Sequence, residues 1–168
     1  MKFLSILTTL GMIFFLSGCE TTKPKPASED RLYRGATFTL RHPPSVTVAV
    51  DQGDGYAVHY FKTPNSNVML GVYEGQRPKI FTKTETDLTI MRRGMTSKEN
   101  VERGDDNWGI DSKGLIWRES LWNCNRVVRG TNGKTYNLPT MLHLWYFGAS
   151  EEEQAFYDSL IDTIELNR

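Results

Sequence analysis

From Gly35 onward the chain alternates with a period of two between breaks rich in proline, glycine and asparagine, and this alternation restricts its fold more than any other feature. In ATFTLRH, Phe38 and Leu40 fall on one side while Thr37, Thr39 and Arg41 fall on the other. In SVTVAVD, Val46, Val48 and Val50 oppose Thr47, Ala49 and Asp51. Successive side chains of a strand point to opposite faces, so such segments read as strands with one face buried. Pro43-Pro44 separates the first two. DQGDG then turns the chain into GYAVHYF, and TPNSN turns it into NVMLGVYEG, where Val68, Leu70 and Val72 share a face. The pattern returns in LIWRESLW and NRVVRG, breaks at the turn residues Asn132-Gly133, and ends in MLHLWYF. Short strands joined by turns of this kind predict an antiparallel meander.

Two segments read differently. TDLTIMRR, from Thr86 to Arg93, places a possible cap before Leu88, Ile90 and Met91 and a stop at Gly94, which predicts a short middle helix. At the C-terminus Ser150 and Glu153 have capping-box spacing, and Glu151 to Glu153 complement the positive end of a helix dipole. Phe156, Tyr157, Leu160, Ile161 and Ile164 make one apolar stripe, so a helix from Ser150 to Leu166 is expected to lie on the sheet. The expected fold class is therefore α+β, an antiparallel meander sheet with a short middle helix and a C-terminal helix packed on it, as one sandwich domain over 35–168. The strand FTLRHPP, the meander, and a final strand MLHLWYF running into the helix that ends DSLIDTIEL together resemble PsbP-type domains. That resemblance implies a non-catalytic accessory or binding role.

Residues 1–18 have another character. Lys2 is followed by a mostly apolar run from Phe3 to Leu16 and then by small residues, the order of a secretory signal peptide. The run is shorter than the roughly 20 apolar residues that span a bilayer. Leu16-Ser17-Gly18-Cys19 resembles the lipobox of bacterial lipoproteins. The resemblance implies that Cys19 is lipidated, that the leader is removed before it, and that the membrane is a partner through the N-terminal lipid; a plain signal peptide ending on a chance cysteine is the alternative. Glu20, rather than aspartate, follows Cys19, which in enteric lipoproteins favours the outer membrane over the inner. Residues 19–34, with Lys23-Pro24-Lys25-Pro26, read as a lipidated tether, because prolines favour extended chain of about 3.1 Å per residue.

Composition narrows the function classes. Twenty basic residues balance twenty acidic ones, so there is no electrostatic case for nucleic acid. With Cys19 lipidated, Cys124 has no partner in the chain for a disulfide and is expected to be a buried core thiol. His42, His59 and His143 are too scattered for a metal motif, and no cofactor is expected. Cys124 with His143 would be the pair for an envelope hydrolase, but LWNCNRVV reads as strand rather than the helix N-terminus that activates a thiol. G-x-S-x-G is absent, Gly53-Asp54-Gly55 lacks the rest of a dinucleotide loop, and Asp51 with Asp54 lacks the ladder of a calcium loop. Arg103-Gly104-Asp105 falls in an ordinary polar stretch, Glu102 to Asn107, read as a turn.

Aromatic residues stand out: Trp108, Trp117, Trp122 and Trp145, with Tyr56, Tyr60, Tyr73 and Tyr146. Trp117 and Trp122 are out of phase with one another, so on one unbroken strand they cannot share a face; one is exposed, beneath a helix, or past a bulge. Exposed aromatics beside Arg118, Arg126 and Arg129 would suit an envelope protein or glycan, and Trp117, Trp122, Arg118 and Arg126 are the candidate binding residues. Aromatics that only cover a small sheet are the alternative. The function expected is a lipid-anchored, non-catalytic accessory or binding protein of the cell envelope. A hydrolase using Cys124 and His143, and a structural subunit of an outer-membrane assembly, are the alternatives.

Overall fold

The computed structural model describes residues 29–95 and 103–167. The leader, Cys19 and the part of the expected tether up to 28 lie outside the described residues.

The structure corrects the expected fold class: the described residues are mostly β, with two antiparallel sheets and one α-helix among them. The larger sheet has seven strands in the order β3-β4-β5-β9-β8-β7-β6. These are β3 (Thr47–Gly53), β4 (Tyr56–Lys62), β5 (Leu70–Gly75), β6 (Thr89–Met95), β7 (Arg103–Ile110), β8 (Ile116–Arg129) and β9 (Thr135–Ala149). It is built from two meanders, β3 to β5 and β6 to β9, joined where β5 pairs with β9 from Gly71↔Trp145 to Gly75↔Met141. The smaller sheet places β2 (Phe38–His42) between β1 (Arg31–Arg34) and β10 (Glu165–Leu166).

The expected middle helix is a strand. Thr89–Met95 forms the edge of the large sheet and pairs with β7, from Thr89↔Ile110 to Met95↔Asp105. Leu88, Ile90 and Met91 suit a helix only if its partner strand is overlooked, and that partner is the RGDDN stretch read as a polar turn. A register shift between Ile90 and Arg92 further blurs the period of two. Met91 is 59% exposed, which the helix stripe would have buried.

The terminal helix, α1 (Glu151–Asp162), carries the capping box: the Glu153 amide donates to Ser150 Oγ, and the Ser150 amide donates to Glu153 Oε2. The other Glu153 oxygen accepts from Ser66 Oγ at 2.5 Å, tying the helix start to the loop before β5. α1 ends four residues before Leu166 because Glu165–Leu166 leaves the helix to pair with β2. The last four residues of the expected tether, Arg31–Arg34, are a strand that pairs with β2 from Arg31↔His42 to Arg34↔Thr39.

One face of the large sheet is covered by α1 and the small sheet. Phe38 and Leu40 of β2, Tyr157, Leu160 and Ile161 of α1, and Trp122, Leu142, Leu144 and Tyr146 of the large sheet share one core. Tyr157 Oη donates to the Val68 carbonyl at 2.7 Å, so the one polar atom of that ring is satisfied inside. Truncating a buried Leu or Ile of this set to Ala costs about 2–5 kcal/mol.

Candidate functional site

The two faces of the large sheet hold different chemistry, sorted by the alternation of side chains along each strand. On the covered face two charged clusters interrupt the apolar core. In the first, Arg118 Nε and Nη2 donate to the two oxygens of Asp106 at 2.9 and 2.8 Å, and Nη1 donates to Asp158 of α1 at 2.8 Å. Tyr146 Oη also donates to Asp158, at 2.8 Å, and Ser120 Oγ donates to Asp106 at 2.5 Å. Burial opposes the Arg118 charge, but the hydrogen bonds and charges of Asp106 and Asp158 outweigh it and raise its pKa. Burial, together with the Asp158 charge, raises that of Tyr146.

The second cluster joins the two sheets. Glu74 Oε2 accepts from the amide and hydroxyl of Thr37, both at 2.7 Å, and Oε1 accepts from the Ala36 amide at 3.1 Å. His59 Nε2 lies 2.6 Å from Glu74 Oε1, and its Nδ1 lies 2.6 Å from Tyr33 Oη. A proton on Nε2 lets His59 donate to Glu74 and accept from Tyr33, satisfying all three groups. Burial pulls the Glu74 pKa up, yet the bonds from His59, Thr37 and Ala36 more than offset it and hold the carboxyl below its usual range. Tyr33, in the segment expected to be tether, is thus a fixed part of the domain, and burial raises its pKa.

On the opposite face a second histidine–carboxylate pair fixes a strap. His143 Nε2 lies 2.8 Å from Glu119 Oε1, and the two Glu119 oxygens accept from the amides of Phe81 and Thr82 at 2.6 and 2.9 Å. These amides belong to a 3-10 turn, Phe81–Lys83. The Phe81 ring then stacks on His143 and leans on Trp145 and Phe147. Burial raises the Glu119 pKa, but the bonds from His143, Thr82 and Phe81 win and lower it.

Beside this strap lies an open cleft of about 1050 Å³. Its floor is aromatic and its geometry depends on glycine. A Cβ at Gly71 would meet three atoms of the Trp145 indole, which therefore lies face-down on the β5 backbone. The Tyr56 ring covers Gly53 in the same way, and Tyr73 reaches over Gly75. Tyr56 and Tyr73 are within 17° of parallel, with centroids 5.9 Å apart. The Arg77 amide donates to Tyr73 Oη at 3.1 Å and holds that ring down. Gln52, Asp54, Gln76 and Arg77 stand around the cleft, and all four are exposed.

The candidate binding residues end elsewhere. Trp117 and Trp122 are both buried, on opposite faces of β8, and the β8–β9 register slips between Ile116 and Arg118. Of the alternatives for the pair, exposure of one is excluded, since each face of β8 covers its own indole; neither indole N–H has a hydrogen-bond partner among the described residues. Arg118 is committed to two carboxylates, and the side chain of Arg126, in β8, lies outside the described residues. Cys124 sits in the core and donates to the Thr140 carbonyl at 3.2 Å, whereas His143 belongs to the other face. The Cys124–His143 pair is therefore not assembled. No hydroxyl of a serine or threonine and no thiol is hydrogen-bonded to His59 or His143 among the described residues. Nor, among them, do three or more His, Cys, Asp or Glu gather as a metal site.

The carboxylates of these clusters left a signal in the sequence. Glu74 continues the Val68, Leu70, Val72 face, so an acid in phase with buried valines marks a satisfied internal charge. The cleft floor has one too, in glycines set inside strands beside aromatic neighbours, as in MLGVYEG. No protein-family profile, curated protein or solved structure matches this chain.

Proposed function

We propose that this protein is a lipid-anchored binding module of the cell envelope, tethered through Cys19, with the outer membrane as its site, and that it takes a ligand in the cleft without catalysing a reaction. The observation that carries the reading is the open cleft floored by Tyr56, Tyr73 and Trp145, beside imidazoles that are already committed to carboxylates. A preformed concave site with aromatic lining and a few polar groups is what a binding protein uses. The lipobox likeness of Leu16 to Cys19 supports the anchor, since two or more acyl chains hold a protein on a bilayer without spanning it.

Two experiments test this reading. Mass spectrometry of the N-terminal peptide should find acyl chains on Cys19, and Cys19→Ser should abolish them; an unmodified Cys19 in the native protein overturns the anchor. Capture of envelope components by the purified protein should be lost in Tyr56→Ala. Capture that is unchanged in Tyr56→Ala and in Tyr73→Ala overturns the binding site.

A structural subunit of an outer-membrane assembly is a second reading. One observation favours it: beyond Asn123 and Met141 the β8–β9 ladder continues to Arg129↔Thr135 as a two-stranded arm, with Tyr136 and Leu138 more than 40% exposed. A two-stranded ribbon, as the arm is among the described residues, is marginally stable in water, so a partner on it would add order. Cross-linking from the arm to one abundant envelope protein, retained in Tyr56→Ala, would favour this reading over the cleft.

A further inference from the structure

We infer that the ligand of the cleft is a saccharide chain whose sugar rings lie on Tyr56 and Tyr73, an inference that rests on the binding-module reading above. The Tyr56 ring is laid over Gly53 and, at 40% exposure, offers its outer face to solvent, while the Tyr73 ring, within 17° of parallel to it, reaches over Gly75 with its hydroxyl end. Ring faces carry the negative side of the aromatic quadrupole. The C–H-rich face of a pyranose matches a flat surface of that polarity, whereas an apolar peptide side chain needs a pocket to enter. The surrounding side chains suit hydroxyl groups: Gln52 and Gln76 both donate and accept, Asp54 accepts and Arg77 donates.

Charge separates a saccharide from the other polymer that stacks on aromatic platforms. A single-stranded nucleic acid needs a groove of cations along its phosphates. Here Lys79 is paired with Glu85 at 3.4 Å, Asp54 stands on the same rim as Arg77, and the chain as a whole carries no net formal charge. The cleft of about 1050 Å³ lies just above the range of about 300–1,000 Å³ typical of small-molecule sites, which leaves room for more than one sugar ring. Tyr73 is positioned by the Arg77 amide, so the platform is set before a ligand arrives.

The test uses the full mature protein, purified in a detergent that contains no sugar, with chitotetraose, maltotetraose, cellotetraose and tetragalacturonate as probes in calorimetry and ligand-observed NMR. At least one probe should bind saturably. Tyr56→Ala and Tyr73→Ala should each weaken it about tenfold, the scale of one lost aromatic stacking contact, while Tyr56→Phe, which keeps the ring, should bind as the parent does. Tyr56 is 40% exposed and outside the core, so the variant folds, and an unchanged melting curve checks this. If none of the probes binds at millimolar concentration, the saccharide inference is overturned. The binding-module reading still stands in that case if the envelope component captured through Tyr56 is destroyed by protease and survives periodate. If capture of every component is indifferent to both tyrosines, both readings fall.

Discussion

The two faces of the large sheet each bury a histidine against a glutamate, yet they use that pair for different ends. On the covered face His59–Glu74 is a joint between sheets: Glu74 holds the amides and hydroxyl at 36–37, and His59 holds Tyr33 of β1. On the other face His143–Glu119 holds only the 3-10 turn, and beside it the sheet stays open over Tyr56 and Tyr73. The same side-chain chemistry thus welds one face into the core and leaves the other as a platform. Stability should accordingly reside on one face and recognition on the other, and each expectation below could break that division.

The largest effect belongs to Arg118. Replacing it with Met leaves Asp106 and Asp158 facing each other with no cation between them, and removing one partner from a buried ion network costs about 3–5 kcal/mol. Urea unfolding of Arg118→Met should show a loss of that order. A triple variant, Arg118→Met with Asp106→Leu and Asp158→Leu, should regain most of it, because an apolar replacement of similar volume removes the stranded charges. A single variant as stable as the parent would mean that the covered face is not where the fold is held.

Acid should act next. Glu74 and Glu119 both have folded pKa values below their ordinary value, so the stability they contribute is complete above the unfolded value of about 4.3 and is lost as pH falls through the lower folded values. Urea midpoints should be flat from about pH 6 to pH 5 and drop below about pH 4. Glu74→Gln should flatten the acid limb and lower the plateau, since hydrogen bonds to a buried charge are worth about 1.5–3 kcal/mol. An acid limb unchanged by Glu74→Gln would remove the joint between the sheets from the comparison.

Glu119→Gln should do something more local. Its carboxylate accepts the Phe81 and Thr82 amides, which lie on the strap rather than in the core. Hydrogen exchange at those two amides should speed up more than exchange in β8 and β9, with a smaller loss of overall stability than in Glu74→Gln, as expected of a segment that opens independently. If Glu119→Gln instead lowers protection across β8 and β9 together, the strap is part of the cooperative core and the two pairs are equivalent.

How much of this was legible depended on whether the signal was local. The capping box Ser150–Glu153 and the buried stripe of Tyr157, Leu160 and Ile161 are set by residues three or four apart, and the helix starts where they place it, though it ends at Asp162 rather than Leu166. The strands from Phe38 to Gly75 were legible for the same reason, with a period of two between turns. TDLTIMRR was not, because its strand character comes from pairing with β7, whose RGDDN carries no apolar alternation. Trp117 and Trp122 stay on opposite faces, as their spacing requires, and the burial of both depends on cover from distant parts of the chain, which is a non-local fact. The cleft is partly legible: Tyr56 and Tyr73 stand out in the sequence, but the flat lie of Tyr56 depends on Gly53, which the β3–β4 pairing brings beneath its ring.

The smallest expected change is on the open face. Tyr56 is 40% exposed; its neighbours are the Gly53 and Gly75 backbone and the Tyr73 ring, and it has no part in the core cluster. Removing an exposed side chain away from core, caps and charge networks usually changes stability by no more than about 0.5 kcal/mol. The stack with Tyr73 adds a little, because an aromatic pair is worth about 0.5–1.5 kcal/mol when fully formed and less where one ring is open to water. Tyr56→Ala should therefore unfold within about 1 kcal/mol of the parent, far from the loss in Arg118→Met. The comparison is sharpest when the two variants are measured side by side for both stability and ligand capture. Tyr56→Ala should keep the fold and lose the ligand, while Arg118→Met, at temperatures where it stays folded, should lose stability and keep the ligand. A Tyr56→Ala protein that unfolds as easily as Arg118→Met would show that the platform is structural cover, and the division between the two faces would be gone.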